Sequence, residues 1–215
     1  MPEWPPAAVC FDFDGTLVDS YSAIAASVNH VRASYKLPPL TVEEVKRHVG
    51  RGPEYLLTHT VPGCRLDEAI ARYRAHHPKI MAEMTWLLPG AREVLQALHG
   101  RGIALALCSN KPRMYSQELL RHLGVAGYFR VVLGPEDVPR PKPAPDMLLA
   151  ALERLSIQPA QALYVGDMVV DIETARAAGV QVWVVPTGSE DAAVLQQARP
   201  DRLLHDLGEI LSALL

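Results

Sequence analysis

Two aspartates separated by a single residue follow the first apolar run of the chain. Asp12 and Asp14 come directly after the run 7–11, and a glycine and a threonine, Gly15 and Thr16, follow. Two carboxylates held this close repel each other when both are ionised. A divalent cation such as Mg²⁺ binds oxygen ligands and removes that repulsion. The pattern therefore suggests a metal-dependent site, while an ordinary Asp-Gly turn is the alternative interpretation.

Polar groups also follow three later apolar runs that are predicted to be buried strands. These groups are Ser109 with Asn110, Lys142, and Asp167 with Asp171, after the runs 103–108, 129–133 and 162–165. Ligands of open α/β sheets bind beyond the carboxyl ends of the strands. Each group alone has an ordinary alternative, such as a helix cap, an exposed loop charge or an acid that complements a helix dipole. Their coincidence at successive strand ends favours one shared site.

The chemistry that such groups can perform together is phosphoryl transfer. A carboxylate can attack phosphorus and form an acyl phosphate, which splits one difficult step into two. A metal ion neutralises charge on the phosphate, and lysine, hydroxyl and amide donors hold its oxygens. A second acid protonates the leaving alcohol and then activates water.

The elements that must position these groups follow from the alternation of strand and helix patterns after Gly90. Strands are expected at 103–108, 129–133, 162–165 and 182–185. Helices are expected at 91–100, 113–123, 145–155, 172–178, 191–198 and 207–214. This order predicts a parallel sheet covered on both faces. The early strand at 7–13 must join the same sheet.

Residues 20–82 break this rhythm and show no strand pattern. Helices are expected there at 21–35, after the capping box that opens at Thr41, at 53–58 and at 66–84. The predicted fold class is α/β, a Rossmann-like parallel-sheet core with an inserted all-helical cap domain. The core comprises residues 1–18 and 85–215, and the cap comprises residues 19–84. His76 and His77, adjacent in the last cap helix, are expected on the surface.

These motifs resemble, in order and spacing, the four motifs of the haloacid dehalogenase superfamily. They are Asp12-Phe13-Asp14-Gly15-Thr16, Ser109-Asn110, Lys142 with Pro143, and Gly166-Asp167 with Asp171. The resemblance covers essentially the whole chain, and Ser109-Asn110-Lys111-Pro112 is most similar to the phosphoglycolate phosphatase-like subgroup. Met168 and Arg140 depart from residues that many members carry, at positions outside the core chemistry.

The resemblance implies catalytic and metal-binding roles for five residues. Asp12 is expected to be the nucleophile and a Mg²⁺ ligand. Asp14 is expected to be the general acid and base, and to give its backbone carbonyl to the metal. Lys142 is expected to bind phosphate and to balance Asp12. Asp167 is expected to be a carboxylate ligand of Mg²⁺, with Asp171 positioning Lys142 or a metal-bound water.

The resemblance also implies a phosphate-binding set and a substrate-specificity loop. Ser109 is expected to bind phosphate together with backbone amides near Gly15 and Asn110, and Thr16 to orient the first loop. In relatives with this kind of cap, the loop that corresponds to Arg51-Gly52 faces the active site. Arg51 is therefore expected to pair with a substrate carboxylate. The alternative is an ordinary helix–helix turn with a solvated arginine.

The leading functional hypothesis is a Mg²⁺-dependent phosphatase that hydrolyses a small phosphate monoester, with 2-phosphoglycolate as the best single substrate. The alternatives are a sugar-phosphate phosphomutase similar to β-phosphoglucomutase, an inorganic pyrophosphatase and, in a different class, a non-catalytic binding protein. A dehalogenase is disfavoured because its attack on carbon needs no metal and leaves Asp14 without a role.

Composition bounds the class of protein and its partners. The chain has 215 residues, of which 49% are hydrophobic and 21% charged, as in globular proteins with a substantial core. The net charge is −3, so no basic excess suggests nucleic-acid binding. No apolar run is long enough for a membrane span. The expected partner is a small phosphorylated metabolite, with no nucleic acid and no membrane, and the protein is expected to be a monomer or homodimer.

The N-terminus and the cysteines bear on location. The first residues lack the basic and apolar segments of a secretory signal. Cys10, Cys64 and Cys108 have no metal-ligand spacing, and Cys10 and Cys108 lie in apolar runs. Buried thiols in a reducing cytoplasm are therefore expected.

Overall fold

The computed structural model describes residues 5–214, so the prediction about a signal sequence rests partly on residues 1–4, outside the described range. The strands are β1 (Ala8–Phe11), β2 (Val18–Asp19), β3 (Trp86–Leu87), β4 (Ala104–Cys108), β5 (Phe129–Leu133), β6 (Ala162–Gly166), β7 (Gln181–Val184) and β8 (Arg202–Leu203). Six of them form a parallel sheet in the order β5-β4-β1-β6-β7-β8. β2 and β3 pair with each other, antiparallel.

Helices cover both faces of the sheet and fill the insertion between β2 and β3. The insertion contains α1 (Tyr21–Ser34), α2 (Val42–Lys46), α3 (Pro53–Thr60) and α4 (Leu66–Ile80). The remaining α-helices are α5 (Ala91–Gly100), α6 (Arg113–His122), α7 (Asp146–Leu155), α8 (Val169–Ala178), α9 (Ala192–Gln197) and α10 (Glu209–Leu214). Short 3₁₀ turns lie at Ala126–Tyr128, Pro135–Asp137 and Pro159–Gln161.

The two faces of the sheet bury side chains of different size. In β1, Val9 and Phe11 point to the face covered by α5, α6 and α10, while Ala8 and Cys10 point to the face covered by α7, α8 and α9. This is the two-residue alternation of a strand. β4 repeats it, with leucines on the first face and small residues on the second. Both faces are buried, as the continuous apolar strands predict.

The insertion has an apolar cluster of its own. Side chains from α1, α3 and α4 form this cluster, together with Val45 of α2 and Val49 of the following loop. The predicted capping box is present, since Thr41 Oγ1 accepts from the Glu44 amide while the Glu44 carboxylate accepts from the Thr41 amide. The exact division into core and cap stays a prediction. What the structure contains is a third apolar cluster, separate from those on the two sheet faces and confined to residues 21–73.

The predicted α/β fold class is confirmed, and most element bounds lie within one or two residues of the prediction. The pairing of β2 with β3 lies at the two connections between core and insertion, and two-residue strands carry no periodic signal. α4 ends at Ile80 rather than at 84, and Pro78, which has no amide hydrogen, lies in its last turn. Among the described residues no helix combines the length and apolarity that crossing a membrane requires.

Candidate active site

The carboxyl ends of β1, β4 and β6 bring the predicted residues together at one edge of the sheet. Phe11 is in register with Leu107 of β4 and Val165 of β6. The residues that follow these strands therefore emerge side by side: Asp12, Ser109 and Asp167. All three are buried. The expected convergence at the strand ends is thus present in the fold.

Lys142 reaches this edge from the loop after β5 and lies between two carboxylates. Its Nζ is 2.9 Å from Asp12 Oδ1 and 2.7 Å from Asp171 Oδ1. It also donates to the hydroxyl of Tyr164, at 3.1 Å. Burial alone would lower the pKa of Lys142, but the two carboxylates more than offset it and raise that pKa above its ordinary value. The lysine is therefore a fixed positive charge beside Asp12.

Asp171 organises the start of α8 as well as Lys142. Its Oδ2 accepts from the backbone amides of Asp167 and Met168, at 3.1 and 3.0 Å. Its Oδ1 accepts from Lys142 and Tyr164. Both oxygens of this carboxylate are thus engaged by protein donors, which fits a supporting role better than that of a metal ligand.

Asp12, Asp167 and Asp171 form an acidic cluster whose ligand atoms lie within 4.8 Å of one another. Burial raises the pKa of Asp12 to about 6, although Lys142 opposes the shift. Burial, followed by the charges of Asp171 and Asp12, also raises the pKa of Asp167. Three buried acids beside one ammonium make an excess of negative charge that a cation would relieve.

One oxygen of this cluster has no partner among the described residues and is available to such a cation. Asp167 Oδ2 is buried without a hydrogen-bond partner among the described residues, while Asp167 Oδ1 accepts from Thr16 Oγ1 at 2.6 Å. Asp12 Oδ1 lies 2.9 Å from Lys142 Nζ, so the Asp12 carboxylate is shared between this ammonium and the cluster. Hard oxygen donors in a buried acidic cluster fit Mg²⁺. The residues present therefore match the metal that the sequence predicts.

The side chain of Asp14 is not part of this cluster and contacts a second cation, Lys111. Its Oδ1 and Oδ2 accept from Lys111 Nζ at 3.0 and 3.2 Å, and Ser20 Oγ donates to Oδ1 at 2.5 Å. Ser20 precedes α1 but makes no side-chain cap to it. A metal contact through the Asp14 carbonyl stays a prediction.

The turn after β1 is held by its own backbone. Gly15 has a φ of +88°, a conformation that favours glycine, and its amide donates to the Val18 carbonyl at 2.8 Å. Thr187 Oγ1 donates to the Gly15 carbonyl at 2.6 Å. The amide of Gly15 is therefore occupied in this structure, and its expected contact with phosphate stays a prediction.

Asn110 joins three segments. Its Oδ1 accepts from the Lys142 amide, and its Nδ2 donates to the Lys142 carbonyl, both at 3.1 Å. The same Nδ2 donates to the carbonyl of Gly50 in the insertion, at 3.1 Å. The Asn110 side chain thus fixes the loop that carries Lys142 and seats the insertion on the sheet edge.

A cavity that is open to solvent lies between the sheet edge and the insertion. Asp12, Asp14, Ser109 and Asn110 line it from the sheet. Gly50, Gly52 and Pro53 line it from the loop before α3. The roof is formed by apolar and aromatic side chains together with two polar ones, namely Ile24, Val49, Leu56, Tyr73, Tyr115, Arg74 and His77.

Arg51 does not line this cavity among the described residues, although both of its neighbours do. Its side chain is exposed, and its guanidinium lies 5.3 Å from the ring centre of Tyr55. Gly52, with a φ of +86°, begins α3. The substrate contact expected of Arg51 stays a prediction.

The expectation that His77 lies on the surface is wrong, because α4 turns this residue inward. His77 is 1% exposed and lies 5.0 Å from the ring of Tyr73. Its Nδ1 is 3.0 Å from Ser27 Oγ, which itself donates to the Ala23 carbonyl. Adjacent helix positions point in directions about 100° apart, so His76 and His77 need not share exposure.

Lys111 and Tyr164 are site residues for which the sequence predicts no role. Lys111 follows directly on Ser109 and Asn110, so its position beside the second motif was a usable signal. Tyr164 lies in the middle of an apolar strand, and a buried tyrosine hydroxyl usually finds a partner. It contacts Lys142, Asp171 and the Cys108 carbonyl.

Comparison with known proteins identifies the family. Residues 9–185 match the model of the haloacid dehalogenase-like hydrolase family. A relative named phosphoglycolate phosphatase from Shigella dysenteriae is 33% identical, with 96% of this chain and 91% of that protein aligned. The Escherichia coli K12 protein of that name is 32% identical over the same shares. A crystal structure described as a predicted phosphoglycolate phosphatase from Haemophilus somnus superposes with a TM-score of 0.87 at 28% identity, covering 96% of this chain and 97% of that one.

Proposed function

This chain belongs to the haloacid dehalogenase-like hydrolase family, and we propose that it is a Mg²⁺-dependent phosphatase that hydrolyses 2-phosphoglycolate through an aspartyl-phosphate. Its enzyme class is that of a phosphoric monoester hydrolase, as the relatives named phosphoglycolate phosphatase indicate. The observation that carries the proposal is Asp12, buried between Lys142 and the unpartnered oxygen of Asp167. The matching relatives support the choice of phosphoglycolate.

The first step forms a bond between an Asp12 oxygen and phosphorus and breaks the bond to the ester oxygen. Lys142 faces the attacking carboxylate and offsets the charge that accumulates there. We assign the binding of phosphate oxygens to the buried hydroxyl of Ser109 and to backbone amides near Asn110. Asp14 gives its proton to the departing alcohol oxygen.

The second step releases phosphate. Asp14 takes a proton from water as the water oxygen attacks the phosphorus of the aspartyl-phosphate. The bond between phosphorus and Asp12 breaks, and the Asp12 carboxylate is restored. Asp12 and Asp167 are the side chains that would hold Mg²⁺, which supplies charge neutralisation of the phosphate when bound. Asp171 keeps Lys142 in place throughout.

A cytoplasmic location belongs to this proposal. Cys10, Cys64 and Cys108 are free thiols, and Cys10 and Cys108 are buried in the sheet. This supports a reducing compartment.

The test is phosphate release with Mg²⁺ from phosphoglycolate, pyrophosphate, a sugar phosphate and p-nitrophenyl phosphate, with Asp12→Asn as the matched control. Asp12→Asn keeps the volume of the side chain but removes the nucleophile, so turnover should fall at least about 1,000-fold, in line with the loss of a nucleophile that acts as one unit with its partners. Circular dichroism should show the fold retained. Near-wild-type turnover by the variant would overturn the nucleophile assignment. A preference for pyrophosphate or for a sugar phosphate would overturn the substrate.

A further inference from the structure

A buried cation in the cavity has no part in the two chemical steps described above. The side chain of Lys111 is 5% exposed, and its Nζ donates to both carboxylate oxygens of Asp14. Lys142 already serves Asp12 and the phosphate. Burying a second ammonium is costly unless an anion is beside it. Asp14 supplies one anion in this structure, but in the first step Asp14 must instead carry a proton and face the ester oxygen.

The position of Lys111 indicates where a second anion would lie. Asp14 reaches the ester oxygen of a bound substrate across a hydrogen bond of about 2.7 Å. Lys111 Nζ lies 3.0 and 3.2 Å from the same Asp14 oxygens. A group attached to the first carbon beyond the ester oxygen is therefore within hydrogen-bond reach of that ammonium. A carboxylate at this point is the distinguishing feature of phosphoglycolate.

The cavity wall around Lys111 strengthens such a contact. Ile24, Val49 and Leu56 line the same cavity, and an ion pair among apolar side chains is stronger than one in water. His77, a close polar neighbour, adds no positive charge near neutral pH, because burial and then Lys111 itself lower its pKa to about 3.

The two arginines near the cavity are more exposed than Lys111. Arg74 lines the cavity, but its side chain is 57% exposed and lies 3.8 Å from Glu54. Arg51 lies outside the lining and packs on Tyr55. Solvent screens exposed charges. Lys111, the least exposed of the three, is therefore best placed to bind a charged group of the substrate.

We propose that Lys111 is the specificity-determining residue that binds the carboxylate of the substrate, exchanging contact with Asp14 for contact with that group. This proposal rests on the proposed function and deepens it. It assigns the selection of a carboxylate one carbon from the ester oxygen to the loop after β4, rather than to Arg51 of the insertion.

The test compares phosphoglycolate with isobutyl phosphate, in which two methyl groups stand where the carboxylate has its oxygens. The variants are Lys111→Met, Lys111→Arg and Arg51→Ala, with Lys79→Met as the control that removes one exposed lysine. We expect Lys111→Met to reduce the preference for phosphoglycolate in kcat/KM by about 30-fold or more, the effect of removing one partner of a buried charge pair. Lys111→Arg should retain part of that preference, and the other two variants all of it.

The ratio of kcat/KM for phosphoglycolate to kcat/KM for isobutyl phosphate separates substrate recognition from support of Asp14. Loss of support for Asp14 would slow hydrolysis of both esters equally and leave this ratio unchanged. An unchanged ratio in Lys111→Met, or a ratio lost in Arg51→Ala instead, overturns the proposal. Absence of phosphoglycolate hydrolysis by the wild-type enzyme overturns the proposed function.

A binding measurement decides the role of Lys111 without turnover. Calorimetry compares 3-phosphonopropionate with 3-methylbutylphosphonate, its uncharged-tail isostere, on the wild-type protein and on Lys111→Met. The wild type should bind the carboxylate compound more tightly, and the variant should lose that difference. Equal affinities in the wild type, or a difference that survives in the variant, overturn the proposal.

Discussion

The buried His77 makes the stability of the protein depend on pH in a defined direction. Burial, followed by the charge of Lys111, lowers the pKa of His77 from 6.5 to about 3. In the unfolded chain the imidazole takes up a proton near its ordinary pKa. Between these two values the unfolded state binds more protons than the folded state. The free energy of unfolding therefore falls as pH falls from about 6.5 toward 3.

The size of the effect follows from the two pKa values. Relative to a pH of about 7.5, the contribution of His77 to stability decreases by roughly 0.8 kcal/mol at about pH 6 and by roughly 2 kcal/mol at about pH 5. A loss of that size is a large part of the free energy of unfolding of an ordinary domain.

The perturbation is His77→Asn, which keeps a polar group near the position of Nδ1 and its contact with Ser27. The variant loses ring packing against Tyr73, a cost that does not depend on pH. The assay is urea unfolding of both proteins at several pH values between 7.5 and 5. The wild type should lose roughly 2 kcal/mol more than the variant over this range.

Other titrating groups are common to both proteins and cancel in the comparison. His205→Asn, at a side chain that is 89% exposed, controls for the removal of one histidine. Parallel pH profiles for the wild type and His77→Asn would refute the reasoning. A profile in which the wild type gains stability toward low pH would refute it more strongly.

Two further predictions concern the acidic cluster and the tyrosine beneath it. Mg²⁺ at about 100 times its dissociation constant should stabilise the wild type against thermal unfolding by about 2.7 kcal/mol. Asp167→Asn loses the unpartnered carboxylate oxygen and should lose most of this stabilisation. Equal stabilisation of both proteins by Mg²⁺ would contradict the assignment of Asp167 as a ligand. Tyr164→Phe removes the hydroxyl that contacts Lys142, Asp171 and the Cys108 carbonyl. Urea unfolding should therefore show that the free energy of unfolding falls by about 1–3 kcal/mol. An unchanged free energy of unfolding would show that this hydroxyl does not stabilise the site.

The edge of the sheet that carries the site could be predicted from the sequence, because the strands and their ends depend on local patterns. Apolar runs of four to six residues predict strands and their ends, and three of these runs are followed at once by the polar site residues. Parallel strands then place Asp12, Ser109 and Asp167 together whatever the details of packing. Helix bounds were predictable for the same reason, as the capping box at Thr41 shows. The pairing of β2 with β3 was not, since two residues carry no period.

Sequence alone also determined the family and the class of chemistry, because the order of the motifs along the chain can be recognised without any knowledge of contacts. Tertiary structure decided which side chains serve the motif residues. Lys111 and Asp14 lie 97 positions apart, and His77 lies 50 positions from Ser27, so no local pattern links either pair. The first pair meets because β1 and β4 are neighbours in the sheet, and the second because α1 packs against α4 within the insertion. That packing is set by the summed burial of many apolar side chains, a global property that no single motif contains.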